Sequence, residues 1–323
     1  MTTMGRKIAL VTTLAGALAL AGCGDYGPNL PFGGCTPVTG GLIIATTAGV
    51  RGCTLDDTYK LVSAVSPPPG VTLPSFGGFD DGRHMVVDPF GNRIFVSDHD
   101  TDFDVYDTCL NPLTVTWGYN ASEPLGLAVM PNGKLLLTDE ESCGVTRLKK
   151  DLSLDKDSTG GCSDYPEGVA YDSVHDRVYV AAEDDYSIDI FDGTTMTFVD
   201  SFGANTPSDG PYWLGVDGSS NHLFVLSDSG FQGVSGTEYG IGVFDISAGG
   251  DSLAFNQVLA GSNGPTSDCF GALAVSESRD KLFAIDYCND TVAVFDTNTL
   301  TQTGTVPASC LGSGTPTMIS VTQ

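Results

Sequence analysis

The feature that most constrains this chain is a pattern that recurs along it. A short apolar strand and a turn are followed by a second strand ending near an acidic residue, then by a third strand closing on an aromatic-Asp pair. The second strands read Ile94-Phe95-Val96-Ser97-Asp98, Leu135-Leu136-Leu137-Thr138-Asp139, Val178-Tyr179-Val180-Ala181-Ala182, Leu223-Phe224-Val225-Leu226-Ser227 and Leu282-Phe283-Ala284-Ile285-Asp286, all rich in strand-forming residues. Third strands close on Tyr106-Asp107, Phe191-Asp192, Phe244-Asp245 and Phe295-Asp296, with Leu148-Lys149 a degenerate copy and Leu55-Asp56 an earlier one. Aligning the first strands puts Gly82, Pro124, Pro166, Pro211, Phe270 and Pro316 at one equivalent position, at intervals of 42, 42, 45, 59 and 46 residues.

Five copies have first, second and third strands in order. The copy from Leu42 to Val65 lacks a first strand, and Pro316 to Val321 is a first strand with nothing after it, so the two complete each other. Joining them closes a ring and removes the exposed sheet edges of an open array. The expected fold is therefore all-β, a six-bladed β-propeller over residues 42–323 with the C-terminal strand joining the N-terminal blade. The repeat resembles the YVTN/NHL-type propeller repeat over nearly the whole of that region, a resemblance that implies the fold and leaves function open. Within the first strands, Met85, Leu127, Val169, Leu214, Leu273 and Ile319 read as core-facing, as do Val87, Val129, Tyr171, Val216, Val275 and Val321 two residues later. The insertion Gly230 to Tyr239, rich in Gly and Ser, reads as a flexible loop.

Ahead of the repeats, Arg6 and Lys7 give a positive start, Ile8 to Leu20 a largely apolar run, and Leu20-Ala21-Gly22-Cys23 a small-residue cleavage site, together a secretory signal over 1–22. The last four residues resemble the lipobox of bacterial lipoprotein precursors, which implies lipidation of Cys23. An ordinary secretory signal cut elsewhere is the alternative. The apolar run is too short for a permanent membrane span, so the membrane is met through the lipid alone. Gly24 stands where an Asp in that family commonly marks inner-membrane retention, and the resemblance implies the bacterial cell envelope, with the outer membrane favoured over the inner. Residues 23–41 then form a lipidated tether.

Cleavage removes two positive charges and no negative ones, taking the formal charge from −26 to −28. Such acidity argues against nucleic acid, whose phosphates need clustered Lys and Arg. It argues equally against a chain lying flat on anionic lipid.

After Cys23 eight cysteines remain, and an oxidising compartment makes disulfides the default. In a propeller the turn between second and third strands shares a face with the loop entering the next first strand. That geometry pairs Cys143 with Cys162, Cys269 with Cys288, and Cys53 with Cys310, leaving Cys35 and Cys109 for each other. The rival reading, a metal-thiolate cluster, has no Cys-x-x-Cys to support it.

Acidic residues crowd the loops after second strands: Asp98, Asp100, Asp102 and Asp104; Asp139, Glu140 and Glu141; Glu183, Asp184 and Asp185; Asp286 and Asp290. Repeat geometry puts them on one face, where they form a solvated acidic surface, hold calcium or attract a basic partner. Asp155, Asp157, Thr159 and Gly160 match the opening of a D-x-D-x-[DNST]-G calcium loop, although Pro166 stands where a bidentate Glu is wanted, and a Gly-rich turn explains the same letters. The run Asp98, Asp100, Asp102 is a weaker match, with Phe103 in place of Gly. Calcium is the one cofactor these patterns suggest.

Arg83, His84, Glu167, Tyr212 and Trp213 open the first strands and line the expected axial mouth, the default binding funnel. His84 near a carboxylate has the chemistry of a general acid or base, although a hydrogen-bonded surface histidine fits as well. Propeller lactonases resembling SMP-30 carry metal-binding Asn at places held here by Leu125 and Glu167, and no G-x-S-x-G or H-E-x-x-H motif occurs. The expectation is a non-catalytic binding module that recognises a protein, peptide or glycan at its loop face, with a divalent-metal-dependent hydrolase or lactonase as the second reading. Calcium titration followed by thermal melting separates the cation readings: a saturable rise in melting temperature supports a site, and an unmoved one removes it.

Overall fold

Each repeat copy folds into its own antiparallel sheet because consecutive apolar strands are joined by turns too short to reach anything but the neighbouring strand. The computed structural model describes residues 41–323 except 47–48, 56–60, 66–83, 89–91, 99–101, 109, 116–118, 120–122, 140–141, 143, 162–164, 206–209, 234–235, 261–268, 312–314 and 323. Blade 1 holds β1 (Gly41–Thr46), β2 (Gly49–Leu55) and β3 (Leu61–Val65), and blade 2 holds β4 (Met85–Asp88), β5 (Arg93–Asp98) and β6 (Asp102–Asp107). Blade 3 is β7 (Pro124–Val129), β8 (Leu135–Asp139), β9 (Val145–Leu148) and β10 (Leu154–Asp157). Blade 4 is β11 (Pro166–Asp172), β12 (Arg177–Ala182), β13 (Ser187–Asp192) and β14 (Phe198–Gly203). Blade 5 runs β15 (Pro211–Asp217), β16 (His222–Ser227), then a hairpin of β17 (Phe231–Gly233) and β18 (Gly236–Glu238), then β19 (Ile241–Asp245) and β20 (Ala254–Leu259). Blade 6 is β21 (Phe270–Ser276), β22 (Lys281–Asp286), β23 (Thr291–Asp296) and β24 (Thr301–Thr305), after which α1 (Ala308–Leu311) leads into β25 (Pro316–Val321).

The last strand, β25, pairs antiparallel with β1, Leu42 opposite Val321 and Ile44 opposite Ile319, so blade 1 is built from both ends of the repeat region. Gly41 and Thr322 extend the seam: the Gly41 N–H donates to Thr322 Oγ1 at 2.7 Å and the Thr322 N–H to Gly41 O at 2.9 Å. The fold is the expected six-bladed β-propeller. First strands touch in the cyclic order β25, β4, β7, β11, β15, β21 and back to β25, which sets blades 2 and 5 opposite each other.

The repeat's letters have local causes. Asn92, Gly133, Asp176, Asn221 and Asp280 end the first-to-second turns at φ of 50, 75, 53, 59 and 52°, a left-handed backbone that Gly, Asn and Asp tolerate best. Each is followed directly by a basic residue opening the second strand: Arg93, Lys134, Arg177, His222 or Lys281. In the aromatic-Asp pair the ring of Tyr106, Phe191, Phe244 or Phe295 is buried, while the Asp closes the next turn. Asp192 Oδ1 accepts the Thr195 N–H at 2.7 Å, and Asp296 Oδ1 accepts the Thr299 N–H at 2.9 Å. Leu300, half-buried, takes a φ of 54° in one such turn, and three others place a buried apolar residue, Leu110, Leu152 or Met196, at 65, 65 and 55°. Burying each side chain, at about 1.5–3 kcal/mol, offsets a backbone cost of about 1–3 kcal/mol.

The core lies in layers between blades. Ile43, Met85, Ile94, Val96 and Met318 fill the seam of blades 1 and 2, and Leu136, Val178, Val180 and Phe191 that of blades 3 and 4. Near the axis two hydroxyls clamp neighbouring first strands. Ser97 Oγ accepts the His84 N–H at 2.7 Å and donates to Leu125 O at 2.7 Å, and Thr138 Oγ1 accepts the Gly126 N–H and donates to Glu167 O. A Cβ on Gly126 would collide with the Glu167 carbonyl, so only glycine lets the two strands come this close. The insertion in blade 5 departs from the flexible loop expected of it. It forms the β17–β18 hairpin, pinned by the buried Phe231 ring against Phe244 and Phe255.

Two expected disulfides are present: Cys53–Cys310, with Cα atoms 5.8 Å apart, and Cys269–Cys288, 5.2 Å apart. Cys35, Cys109, Cys143 and Cys162 lie outside the described residues. Because the first bridge spans 257 residues and the second 19, the loop-entropy model assigns the first the larger effect, up to about 5 kcal/mol against about 3. Cys310→Ala is expected to lower the urea midpoint more than Cys288→Ala does, measured by circular dichroism under oxidising conditions. Equal losses would show that closing the ring covalently adds nothing.

Candidate functional site

First strands all run the same way along the axis, so the propeller has two distinct faces. The first face carries the beginnings of the first strands and the second-to-third turns, and the second face carries the first-to-second turns. On the first face the third residues of the first strands are His84, Gly126, Gly168, Trp213, Ala272 and Met318. Two of them are rings, from opposite blades. His84 and Trp213 stack with centroids 3.7 Å apart and planes 14° from parallel.

Both rings are buried, and the small residues at Gly126, Gly168 and Ala272 leave the room they occupy. Trp213 is oriented by its indole N–H, which donates to Leu273 O of blade 6 at 3.0 Å. The neighbouring Tyr212 hydroxyl donates to Phe270 O at 3.0 Å. The expected open funnel is thus closed on this face by two of the residues assigned to it. His84 is no surface histidine either: burial drives its pKa from 6.5 down to about 3, so it stays neutral at physiological pH. Glu167 is half-buried, and Arg83 lies outside the described residues.

The acidic loops of this face divide in two. Asp139 and Asp286 are buried; Asp139 takes the Glu123 N–H ahead of β7 at 3.4 Å, and Asp286 serves its own turn by taking the Asn289 N–H at 3.2 Å. Asp184, Asp185 and Asp290 are exposed. Asp104 accepts the Tyr106 hydroxyl at 3.0 Å, whereas Asp100 and the side chains of Asp98 and Asp102 lie outside the described residues.

The segment with calcium-loop spacing is a strand instead. Asp155 and Asp157 sit on β10, and Thr159 continues it into a parallel bridge with Thr197 of blade 4. Asp155 Oδ2 takes Lys134 Nζ at 2.8 Å and Arg147 Nε at 2.7 Å, and these contacts, the Lys134 bond foremost, hold its pKa below the usual carboxylate range. Asp157 Oδ1 accepts the Thr146 hydroxyl at 2.8 Å. Extended backbone does not wrap these oxygens around one point, as a calcium loop requires. Among the described residues the one cluster of three metal-ligating side chains is Cys269, Asp286 and Cys288, whose sulfurs are bonded to each other.

Basic side chains fall elsewhere. Those of Arg93, Lys134, Arg147, Arg177 and Lys281 lie toward the second face, each held by carboxylates: Asp88 for Arg93, Asp155 for Lys134 and Arg147, Asp192 and Asp251 for Arg177, and Asp296 for Lys281. Arg93 also reaches Lys150 O at 2.9 Å, and Arg147 reaches the carbonyls of Gly193 and Thr194, tying blade 2 to blade 3 and blade 3 to blade 4.

No family model matches the chain, and no curated protein matches it. Among solved structures, a chain of the nidogen/laminin complex is 15% identical, covers 88% of this chain and 98% of its own length, and superposes with a TM-score of 0.59. Hydrazine synthase of Kuenenia stuttgartiensis is 17% identical over 71% of this chain and 81% of its own, with a TM-score of 0.44. At such identity the first likeness shows the fold. The class defined by fold and site together is a closed six-bladed β-propeller whose axis is filled at one face by a histidine–tryptophan stack.

The stack carries a pH dependence with a definite sign. Because the folded-state pKa of His84 lies below its ordinary value, the unfolded chain binds the extra proton between pH 6.5 and about 3. Stability is then whole above pH 6.5 and falls on acidification, at most about 1.4 kcal/mol per pH unit from this group. His84→Phe, which keeps a ring against Trp213, is expected to flatten that acid limb in urea unfolding followed from pH 7 to pH 4. An unchanged slope would remove His84 as its source.

Proposed function

We propose that this chain is an envelope-anchored lipoprotein whose propeller is a non-catalytic binding module for a basic protein or peptide, docking on the first face. The observation that carries the reading is the charge layout. Asp184, Asp185 and Asp290 are exposed there, no Lys or Arg is found among the described side chains of that face, and the described basic side chains lie toward the other. Complementary charge steers association and selects partners by sign. Filling of the axis by His84 and Trp213 fits recognition by surface better than chemistry in an axial pocket on this face. The similar solved chain comes from a structure titled as a complex of nidogen and laminin, so a propeller of this shape is found in a protein assembly. Lipidation of Cys23 would hold the module at the membrane, the outer one in this reading. Tethering there limits which partners the first face meets.

The triple variant Asp184→Lys, Asp185→Lys, Asp290→Lys tests the docking face. A partner captured from envelope extract by the full chain is expected to be basic, to bind saturably, to weaken with added salt and to be lost by the variant. Retention by the variant, or turnover of lactone or ester substrates by the wild type, would reverse the reading. For the anchor, metabolic labelling with a radioactive fatty acid is expected to mark the wild type and leave Cys23→Ala unlabelled.

A further inference from the structure

With the axis filled at the first face, what remains of the channel opens at the second. A cavity of about 180 Å³ sits there, lined by Val129, Tyr171, Val216, Val275 and Val321 of five first strands, and by Pro131, Ser173, Ser276, Glu277 and Ser278 at its rim. The valines and Tyr171 belong to the second set of positions expected to face the core, and most are only partly buried because they wall this space. Cavity size limits the occupant: an apolar cavity of ~150 Å³ admits benzene, and drug-sized ligands need roughly 300 Å³ or more. The fit is to a six-membered ring or branched alkyl group with one small polar substituent.

Charge selects the substituent. Among the described residues of the lining Glu277 is the one carboxylic acid and no Lys, Arg or His accompanies it, and Tyr171 has its hydroxyl committed to Asp176 Oδ1 at 3.0 Å. Glu277 Oε1 accepts the Gly218 N–H at 3.3 Å, its one hydrogen bond to the protein shown. Two further carboxylates, both fully buried, stand behind it. Asp172 is paired with His175 at 2.5 Å. Asp217 spends Oδ1 on the turn at Ser219 and Ser220, and its Oδ2 is buried with no hydrogen-bond partner. Burial, followed by the fields of Asp217 and Asp172, raises the pKa of Glu277, as desolvation and neighbouring negative charge do to a carboxylate.

We infer that the second-face cavity is a binding site for a small organic cation, a primary amine bearing a compact apolar group, with the ammonium on Glu277 and the apolar group against Val129, Val216, Val275 and Val321. The site is separate from the docking face above in position and in ligand class. An ammonium at Glu277 makes a charge-assisted hydrogen bond in partly desolvated surroundings, where such bonds exceed neutral ones. Apolar contact supplies the remaining affinity without a polar partner.

The test titrates the full chain with benzylamine, benzyl alcohol and benzoate, by calorimetry and by methyl NMR of labelled valines. Benzylamine is expected to bind saturably and shift the methyls of Val129, Val216, Val275 and Val321, with benzyl alcohol weaker by about tenfold or more and benzoate not bound. Glu277→Gln is expected to weaken benzylamine by about tenfold or more while leaving benzyl alcohol unchanged, and Val275→Phe to abolish both by filling the space. Should Val275→Phe fail to fold, the rim substitution Glu277→Gln and the shift map decide alone. No saturable binding of benzylamine, equal binding of the alcohol, shifts mapping elsewhere, or an unaffected Glu277→Gln would each overturn the site.

Discussion

The pairing of β25 with β1 is the constraint on which everything else rests. Each blade buries one face against the blade before and the other against the blade after, so no blade has a core of its own. An open row of such sheets would end in two bare apolar faces and two unpaired edges, a poor state in water. Closing the row lets every layer be filled twice over. The buried disulfide from Cys53 to Cys310 stands beside that seam and removes unfolded conformations in which the two ends of the repeat region are far apart.

Charge is organised by the same repetition. The chain has 40 acidic and 14 basic residues, so cations are scarce, and the repeat places them where one cation serves several partners. A left-handed Asn, Gly or Asp ends the turn, and the next residue, at the start of the second strand, is basic in five blades. From there Arg93 and Arg177 reach carboxylates and also carbonyls. Much of the acidity of the second face is therefore internally neutralised. At the first face Asp184, Asp185 and Asp290 are exposed, and no Lys or Arg lies among the described side chains there. The asymmetry follows from repeat register, and it gives the two faces different chemistry without any dedicated domain.

The axis tells a related story about size. Six first strands meeting at a narrow centre hold glycine or alanine at three of the third positions, Gly126, Gly168 and Ala272, and the collision at Gly126 shows why. Of the three larger residues, Met318 packs into the seam of blades 1 and 2, while His84 and Trp213, from opposite blades, stack on each other at one end. Three residues further along, valines replace the small side chains and leave a hollow that ends at Glu277. One end of the channel is filled by the two stacked rings, and the other is lined by valines and Tyr171 and rimmed by carboxylate and hydroxyls.

Much of this was legible in the amino-acid sequence. The repeat of strands and aromatic-Asp pairs, read with the orphan strand Pro316 to Val321, determined the closed six-bladed ring, because periodic strands can bury both faces in few other ways. The same loop logic paired Cys53 with Cys310 and Cys269 with Cys288, since disulfides need only proximity, which topology supplies. A left-handed residue followed by a basic one stands at the same place in blades 2 to 6 and, at Arg93, Lys134, Arg177 and Lys281, marks in the sequence side chains that bind carboxylates toward the second face. Other assignments failed for a physical reason. Asp155 and Asp157 alternate as calcium ligands do, but alternation is also the period of a strand, and the arrival of Lys134 and Arg147 decided between them. His84 and Trp213 stand 129 residues apart, and only the diameter of the closed ring determined that they meet. Local chemistry thus wrote the blades, and the distances across the axis, set by closure alone, decided which end of the channel is filled and which is open.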